Sequence, residues 1–154
     1  SSTVAGLTRA GSPTDIAVPG DAIAIELSDD LDVGKGNVIV VDGAHQPVDA
    51  TGLIADVCWC TDTELNVGDS LVVRHASGEV SARVAAITHR LDLETLENTP
   101  TDRLILNDIG RVELALSSPL VVDEYTVNRA GGSAIAIDPV TNATIGALMI
   151  RSGY

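Results

Sequence analysis

Short apolar runs alternate along the whole chain with clusters of Gly, Pro, Asn and Asp, and no window keeps a helical period for three turns. This spacing is typical of β-strands joined by turns. In residues 111–116, Val112, Leu114 and Leu116 share one face of a predicted strand, because side chains alternate across a strand. That face belongs to a core and the other face to solvent. The pattern predicts an all-β fold.

The predicted strands form two groups. Six strands in roughly 100 residues, from about Thr51 to the end, bury their apolar faces best by closing into a small antiparallel barrel. The earlier group offers one apolar face, on which Ile23, Ile25 and Leu27 point inward, and two exposed edges. The predicted strands are Val4–Leu7, Ala22–Leu27, Asn37–Val41, Gly52–Trp59, Ser70–His75, Val80–Thr88, Arg111–Leu116, Ser133–Ile137 and Thr144–Ile150.

The start of the chain predicts how the two groups divide into domains. Three strands are marginal in isolation, and Ser1 leads almost directly into a strand without a cap or leader. We therefore expect the chain to begin inside a domain, with residues 1–46 as the remnant of one β-barrel and residues 47–154 as a complete Greek-key barrel. Since an open apolar sheet is costly in water, we also expect a second copy to cover it in a homodimer.

The charge of the chain narrows its possible partners. The formal net charge is −13, with 22 acidic residues against nine Lys and Arg spread without a basic block. Nucleic-acid affinity depends on cationic contacts, so the balance argues against a nucleic-acid partner. The acidity is read mainly as a solvated surface, while a docking face for a basic partner stays open as the alternative. The uncharged apolar runs fall short of the roughly 20 residues that span a bilayer, so no membrane association is predicted.

Two cysteines invite a metal or redox interpretation. Cys58 and Cys60 share one strand face about 7 Å apart, near the limit for a disulfide. Zinc would need further ligands, yet His45, His75 and His89 are scattered singly. The spacing favours small, buried, apolar thiols. Free thiols fit a reducing compartment, so a cytoplasmic location is predicted.

The glycine-rich segments do not form a nucleotide-binding motif. No Gly-x-x-x-x-Gly-Lys-Ser/Thr run is present, so a P-loop for GTP is not expected in this chain. The segment 34–36, Gly-Lys-Gly, is interpreted as a turn, and Gly131-Gly132-Ser133 as a turn that permits positive φ. Residues 138–142 have the composition of a tight turn, with Asn142 suited to the left-handed region.

His75, which follows Arg74 in the sequence, is the one histidine with a candidate catalytic or phosphate-binding role. Its unperturbed pKa near neutrality suits a general base or a phosphate contact. No Asp, Ser or Cys partner is recognisable at a catalytic spacing, so a structural or subunit-contact role is favoured.

Seven stretches carry a family resemblance: 2–7, 19–22, 29–37, 55–59, 107–112, 128–129 and 137–147. In order and spacing they resemble the end of the second domain and the whole third domain of the GTPase (large) subunit of bacterial sulfate adenylyltransferase. The run Asp138-Pro139-Val140-Thr141-Asn142-Ala143-Thr144 is specific to this branch, because translation factors share the barrel layout without it. Three residues depart from the family pattern. The family has larger side chains at the positions of Ala134 and Ala136, and it has Gly at the position of Ala76. These departures predict a looser core within the same fold.

The resemblance implies a function for the whole protein. That family is similar to elongation factor Tu, with a GTPase domain followed by two β-barrels. GTP hydrolysis there supports a separate catalytic subunit, which makes adenosine 5'-phosphosulfate from ATP and sulfate. The implied partners are that catalytic subunit, the chain's own GTPase domain and, in some bacteria, a fused adenylylsulfate kinase. GTP and Mg²⁺ would bind the GTPase domain, and no catalytic residue, cofactor or metal is expected in this piece, which is interpreted as a non-catalytic docking and regulatory module.

The candidate subunit contacts lie on loops and strand ends. The loops 62–68, 74–78 and 91–101 are expected at the surface. An alternative identity is the barrel region of a translation-elongation-factor-like GTPase, which the acidic charge disfavours because RNA-directed surfaces need basic contacts. An enzyme working alone would need a catalytic constellation that the sequence does not contain. The candidate contact residues are Arg74, His75, Arg90, Asn128 and Arg129.

Overall fold

The computed structural model describes residues 1–154, and its secondary structure consists of β-strands without a helix. The all-β prediction is confirmed. The chain divides into two compact units, residues 1–34 and residues 35–154. The strands are β1 (Val4–Arg9), β2 (Ser12–Pro13), β3 (Ile23–Leu27), β4 (Val48–Trp59), β5 (Leu65–Asn66), β6 (Ser70–His75), β7 (Gly78–Leu91), β8 (Asn98–Thr99), β9 (Arg103–Leu104), β10 (Ile109–Val122), β11 (Ser133–Ile137) and β12 (Thr144–Gly153).

No helix of the structure has the length and apolar character that crossing a bilayer requires.

The first unit is a three-stranded antiparallel sheet in the order β2-β1-β3. None of its 34 residues is fully buried, so it has no core of its own. Ile23 and Leu27 are half-buried as predicted, whereas Ile25 is 41% exposed. The predicted strand Asn37–Val41 is wrong: the segment lies in the second unit and is not part of any strand. Its apolar residues have strand propensity, but propensity alone does not place a segment in a sheet.

The second unit contains a closed barrel of six antiparallel strands. Their order is β10-β4-β12-β11-β6-β7, and pairing between β10 and β7 closes the ring. The strands β6, β7 and β10 follow one another as neighbours, while β4 lies on the far side of β10, which is a Greek-key arrangement. All six predicted strands are present, several of them longer than predicted. In β10 a register shift between Ala115 and Leu120 lets the strand bend and continue past Leu116.

The barrel interior is filled by alternating aliphatic side chains. Leu53 and Leu114 are fully buried on β4 and β10, which are hydrogen-bonded neighbours. Ala134 and Ala136, where the family resemblance leads us to expect larger side chains, also lie in the core, at 7% and 0% exposure. Both positions are therefore inside the barrel, where changes in side-chain volume affect packing most.

The prediction of two buried thiols is wrong. Cys58 is half-buried and Cys60 is exposed, and both are free. Val57 and Trp59 occupy the interior face of β4, so the alternation turns the two sulfur atoms outward. The Cys60 thiol donates a weak hydrogen bond to the Cys58 carbonyl oxygen at 3.3 Å. Burial raises the pKa of the Cys58 thiol, with a smaller contribution from Cys60, which disfavours the reactive thiolate.

The turn at residues 138–142 has the predicted conformation. The Asp138 carboxylate accepts hydrogen bonds from the backbone N–H groups of Val140 and Thr141 at 2.8 and 2.7 Å. Asn142 adopts the left-handed region with φ 58°. The same backbone hydrogen bonds lower the pKa of Asp138. The segment therefore acts as a self-contained connection between β11 and β12.

Candidate functional site

A shielded carboxylate lies just beyond the end of β10. The Asp123 side chain is only 11% exposed. Its Oδ2 accepts a hydrogen bond from the Asn128 amide at 2.7 Å, and its Oδ1 lies 3.1 Å from His45 Nε2. The backbone N–H of Asp123 donates to the Gly131 carbonyl oxygen at 2.7 Å. One loop, residues 123–132, therefore folds back on its own first side chain.

Two adjacent glycines allow the loop to approach so closely. A Cβ at Gly131 would collide with the Asp123 carboxylate and the Asn128 amide, and a Cβ at Gly132 would collide with the Tyr125 backbone. Neither glycine has a positive φ, so the prediction of a positive-φ turn is wrong. Glycine is needed at these positions because a Cβ has no space there, and not because the backbone is left-handed.

His75 fixes the neighbouring β6–β7 hairpin against this loop. Its Nε2 lies 2.9 Å from the Gly131 carbonyl oxygen, which can only accept, so Nε2 carries a proton. Its Nδ1 lies 3.1 Å from Ser77 N and 2.8 Å from Ser77 Oγ. The Ser77 hydroxyl lies 2.8 Å from the Val121 carbonyl oxygen and donates to it. Because no carboxylate orients His75 and the hydroxyl proton is used elsewhere, the pair has the geometry of a structural clamp rather than of an activated nucleophile.

These residues border a cavity of about 430 Å³, which we call the Asp123 cavity. It is larger than the cleft of about 190 Å³ beside Asp56. His75 and Gly131 contribute to its wall, and none of its lining residues is a Lys or an Arg. Its lining includes the apolar residues Val38, Ile39, Pro47 and Val121 and the polar residues Asp123 and Asn128.

The five candidate contact residues are distributed over several places. His75 and Asn128 meet at the Asp123 cavity. Arg129, in the same loop, places its guanidinium 5.8 Å from the Tyr125 ring centroid. Arg74 pairs with Glu79 at 2.6 Å on the exposed hairpin, and Arg90 lies 3.7 Å from Asp108 in another cleft. The structure thus brings two of the five candidates, His75 and Asn128, to one cavity and places a third, Arg129, in the same loop as Asn128.

A second shielded carboxylate, which sequence reasoning did not single out, lies on the outer barrel face. Asp56 on β4 is 13% exposed and contacts Arg111 Nε at 2.8 Å and Arg151 Nε at 2.6 Å. Burial opposes its ionisation, but the hydrogen bonds from the two guanidinium groups outweigh burial and lower the pKa of Asp56. Asp56 lies directly opposite Arg111 in the β4–β10 register. Outward positions on each strand are visible in the sequence, but which of them face each other is decided by the register.

The described residues contain no group of three or more side chains that could hold a metal ion. The arrangement of polar groups at the Asp123 cavity suits binding through a carboxylate and apolar walls.

Comparison with known proteins identifies a domain family and a fold for this chain. A family model described as GTP-eEF1A C-terminal domain-like matches residues 52–151. The crystal structure of Sup35 complexed with GDP superposes with a TM-score of 0.82 at 17% identity, covering 99% of this chain and 38% of that one. The likeness to Sup35 shows the fold.

Curated relatives are more similar in sequence. Sulfate adenylyltransferase subunit 1 of Aeromonas hydrophila is 36% identical over 152 residues, which is 99% of this chain and 32% of the relative. The corresponding protein of Laribacter hongkongensis is 37% identical over 89% of this chain and 28% of its own length. The bifunctional enzyme CysN/CysC of Mycobacterium tuberculosis is 41% identical over 90% of this chain and 23% of its own length.

The chain spans about a third or less of the length of these relatives. They confirm the resemblance to the large subunit of sulfate adenylyltransferase that the sequence motifs indicated. With the family match over residues 52–151, the chain belongs to the GTP-eEF1A C-terminal domain-like family.

Proposed function

We propose that this chain is part of the GTP-hydrolysing regulatory subunit of sulfate adenylyltransferase, which supports synthesis of adenosine 5'-phosphosulfate from ATP and sulfate. The observation that carries the proposal is 36–41% identity to sulfate adenylyltransferase subunit 1 and CysN/CysC over most of the chain. On this proposal the protein works in the cytoplasm.

Within that subunit we assign the chain a docking and regulatory role without catalysis of its own. GTP and Mg²⁺ would bind the GTPase domain, outside this chain. Residues 1–46 would be the closing part of one barrel and residues 47–154 the next barrel. The partners would be the catalytic subunit and the GTPase domain, together with an adenylylsulfate kinase where the two are fused. The His75 clamp supports a non-catalytic role, because His75 Nε2 and the Ser77 hydroxyl donate to carbonyl groups of the fold and do not form an activated nucleophile and base.

The proposal is tested by capture of the catalytic sulfate adenylyltransferase subunit. The 154-residue chain and the full-length protein are each immobilised, and sulfate-dependent pyrophosphate release is assayed alongside. Binding by the chain without added activity supports a docking surface on these residues. Binding by the full-length protein alone moves that surface elsewhere in the subunit. Failure of both to bind contradicts the proposed function.

The alternative is the barrel region of a translation-elongation-factor-like GTPase, because the chain shares its fold with Sup35. An RNA-directed surface needs free basic side chains. Six of the nine Lys and Arg residues instead form ion pairs with carboxylates of the same chain. Salt-dependent binding of tRNA to the chain would favour this alternative, and its absence favours the sulfate-activation proposal.

A further inference from the structure

The Asp123 carboxylate keeps acceptor capacity that the protein does not use. An ionised carboxylate offers about four lone-pair sites. In this structure Asn128 occupies one site on Oδ2 and His45 one site on Oδ1. Roughly two sites remain for an external donor. By contrast, the neighbouring Gly131 carbonyl oxygen already accepts from Asp123 N and lies within hydrogen-bond distance of His75 Nε2, so it has little capacity left.

The negative charge at Asp123 is also poorly compensated. No Lys or Arg nitrogen lies within 4 Å of it, and His45, its one ionisable partner, is 54% exposed. Asp56, at nearly the same exposure, has two guanidinium groups against its oxygens. A shielded carboxylate with only an amide and an exposed imidazole favours a cation from outside, because charge-assisted hydrogen bonds to carboxylates are the stronger ones. The chain's net charge of −13 attracts cationic partners as well.

The shape and lining of the cavity indicate which cation fits. The lining combines the apolar residues Val38, Ile39, Pro47 and Val121 with Asp123. Arginine has an aliphatic stem that packs on apolar surface and a planar fork of donors that matches a carboxylate. Val38 and Ile39 are 46% and 59% exposed, so an incoming side chain can cover them.

We propose that the Asp123 cavity is a docking pocket for an arginine side chain of a protein partner. The stem lies against Val38, Ile39 and Val121, and the guanidinium donates to the free lone pairs of Asp123. Asn128 and His45 hold the carboxylate in place for this contact. The inference deepens the docking role proposed above and rests on it for the identity of the partner. The contact group is the Asp123 carboxylate, whereas at this cavity the sequence indicated only His75 and Asn128 as candidates.

The pocket itself is tested with Nα-acetyl-arginine amide titrated into the isotope-labelled 154-residue chain, followed by NMR. Nα-acetyl-citrulline amide is the uncharged isostere. We expect saturable shifts in residues 36–39 and 121–131 with the arginine probe and none with citrulline. Asp123→Asn should raise the Kd about tenfold or more, because the charge is lost while the shape is kept. Asp108→Asn is the matched control, since Asp108 lies beside Arg90 in another cleft and should leave the Kd unchanged.

Three results would overturn the pocket: no saturable shifts, equal shifts with citrulline, or an unchanged Kd in Asp123→Asn with a wild-type thermal unfolding midpoint. Capture of the catalytic sulfate adenylyltransferase subunit is then compared between the wild type and Asp123→Asn. We expect the variant to bind about tenfold more weakly or worse. Equal capture would overturn docking through this cavity. If neither the wild-type chain nor the full-length protein captures the catalytic subunit, the proposed function fails, and the arginine titration alone decides whether the pocket exists.

Discussion

Two carboxylates of this chain are shielded to nearly the same degree but are compensated in different ways. Asp56 is 13% exposed and lies against Arg111 and Arg151 on the outer barrel face. Asp123 is 11% exposed and lies against Asn128 and His45 beside a cavity. Equal burial therefore does not imply equal roles. The first carboxylate joins three adjacent strands, whereas the second keeps both charge and lone pairs available at a surface that a partner can reach.

The difference extends to how each site is built. Around Asp56 the contacts come from side chains on paired strands, β4, β10 and β12. The Asp123 carboxylate also contacts two side chains, but the loop that carries it is closed by backbone contacts that need glycine at 131 and 132. A site made of side chains can be weakened one group at a time. The closely packed backbone of this loop is expected to change more abruptly when a Cβ takes up its space.

The largest effect is expected from Gly132→Ala. The new Cβ would collide with the backbone of Tyr125, which cannot rotate away. We expect a loss of about 2–3 kcal/mol in the free energy of unfolding, as for other over-packed sites. Urea denaturation measures it. Gly131→Ala is the matched variant: its Cβ meets the ends of two side chains, so the loss should be about half as large. Equal losses would show that the loop adapts as a whole.

A smaller effect is expected from removing each carboxylate charge in turn. Asp56→Asn leaves two guanidinium groups without their anion, and we expect it to cost about 1–2 kcal/mol, moderated by the partial exposure of Arg111 and Arg151. Asp123→Asn removes no ion pair with Lys or Arg, so we expect a loss below about 1 kcal/mol. Urea midpoints at unchanged m-value provide the measurement. A cost for Asp123→Asn as large as that for Asp56→Asn would remove the distinction between the two sites.

The pH dependence should separate the two sites further. The pKa of Asp56 is lowered in the folded chain, so its contribution to stability is present above its unfolded value of 3.8 and is lost as pH falls through the lower folded pKa. The difference in unfolding free energy between wild type and Asp56→Asn should therefore be constant from neutral pH to about 5 and shrink below pH 3.8. Thermal unfolding across this range tests it. A difference that does not change with pH would mean that Asp56 contributes through packing alone.

The sequence predicted the barrel but only part of the candidate site. Alternating apolar residues identify the six barrel strands, because each strand buries one face. The same signal misleads at Asn37–Val41, where the apolar run forms no strand in the structure. His75 and Asn128 are recognisable as candidates from residue type and motif. Asp123 and the Asp56–Arg111 pair are not, because their roles depend on burial and strand register, which arise only in the folded chain.

The smallest effect is expected from Glu79→Gln, which removes an ion pair that is short but exposed. Arg74 and Glu79 lie 2.6 Å apart with side chains 54% and 49% exposed. Water screens such a pair, so we expect a change within about 0.5 kcal/mol in the urea-derived free energy of unfolding. The variant also serves as the control for Asp56→Asn, since both remove a carboxylate charge from an arginine. A loss as large as that of Asp56→Asn would show that contact distance decides the strength of these pairs, whereas a negligible loss shows that shielding from water does.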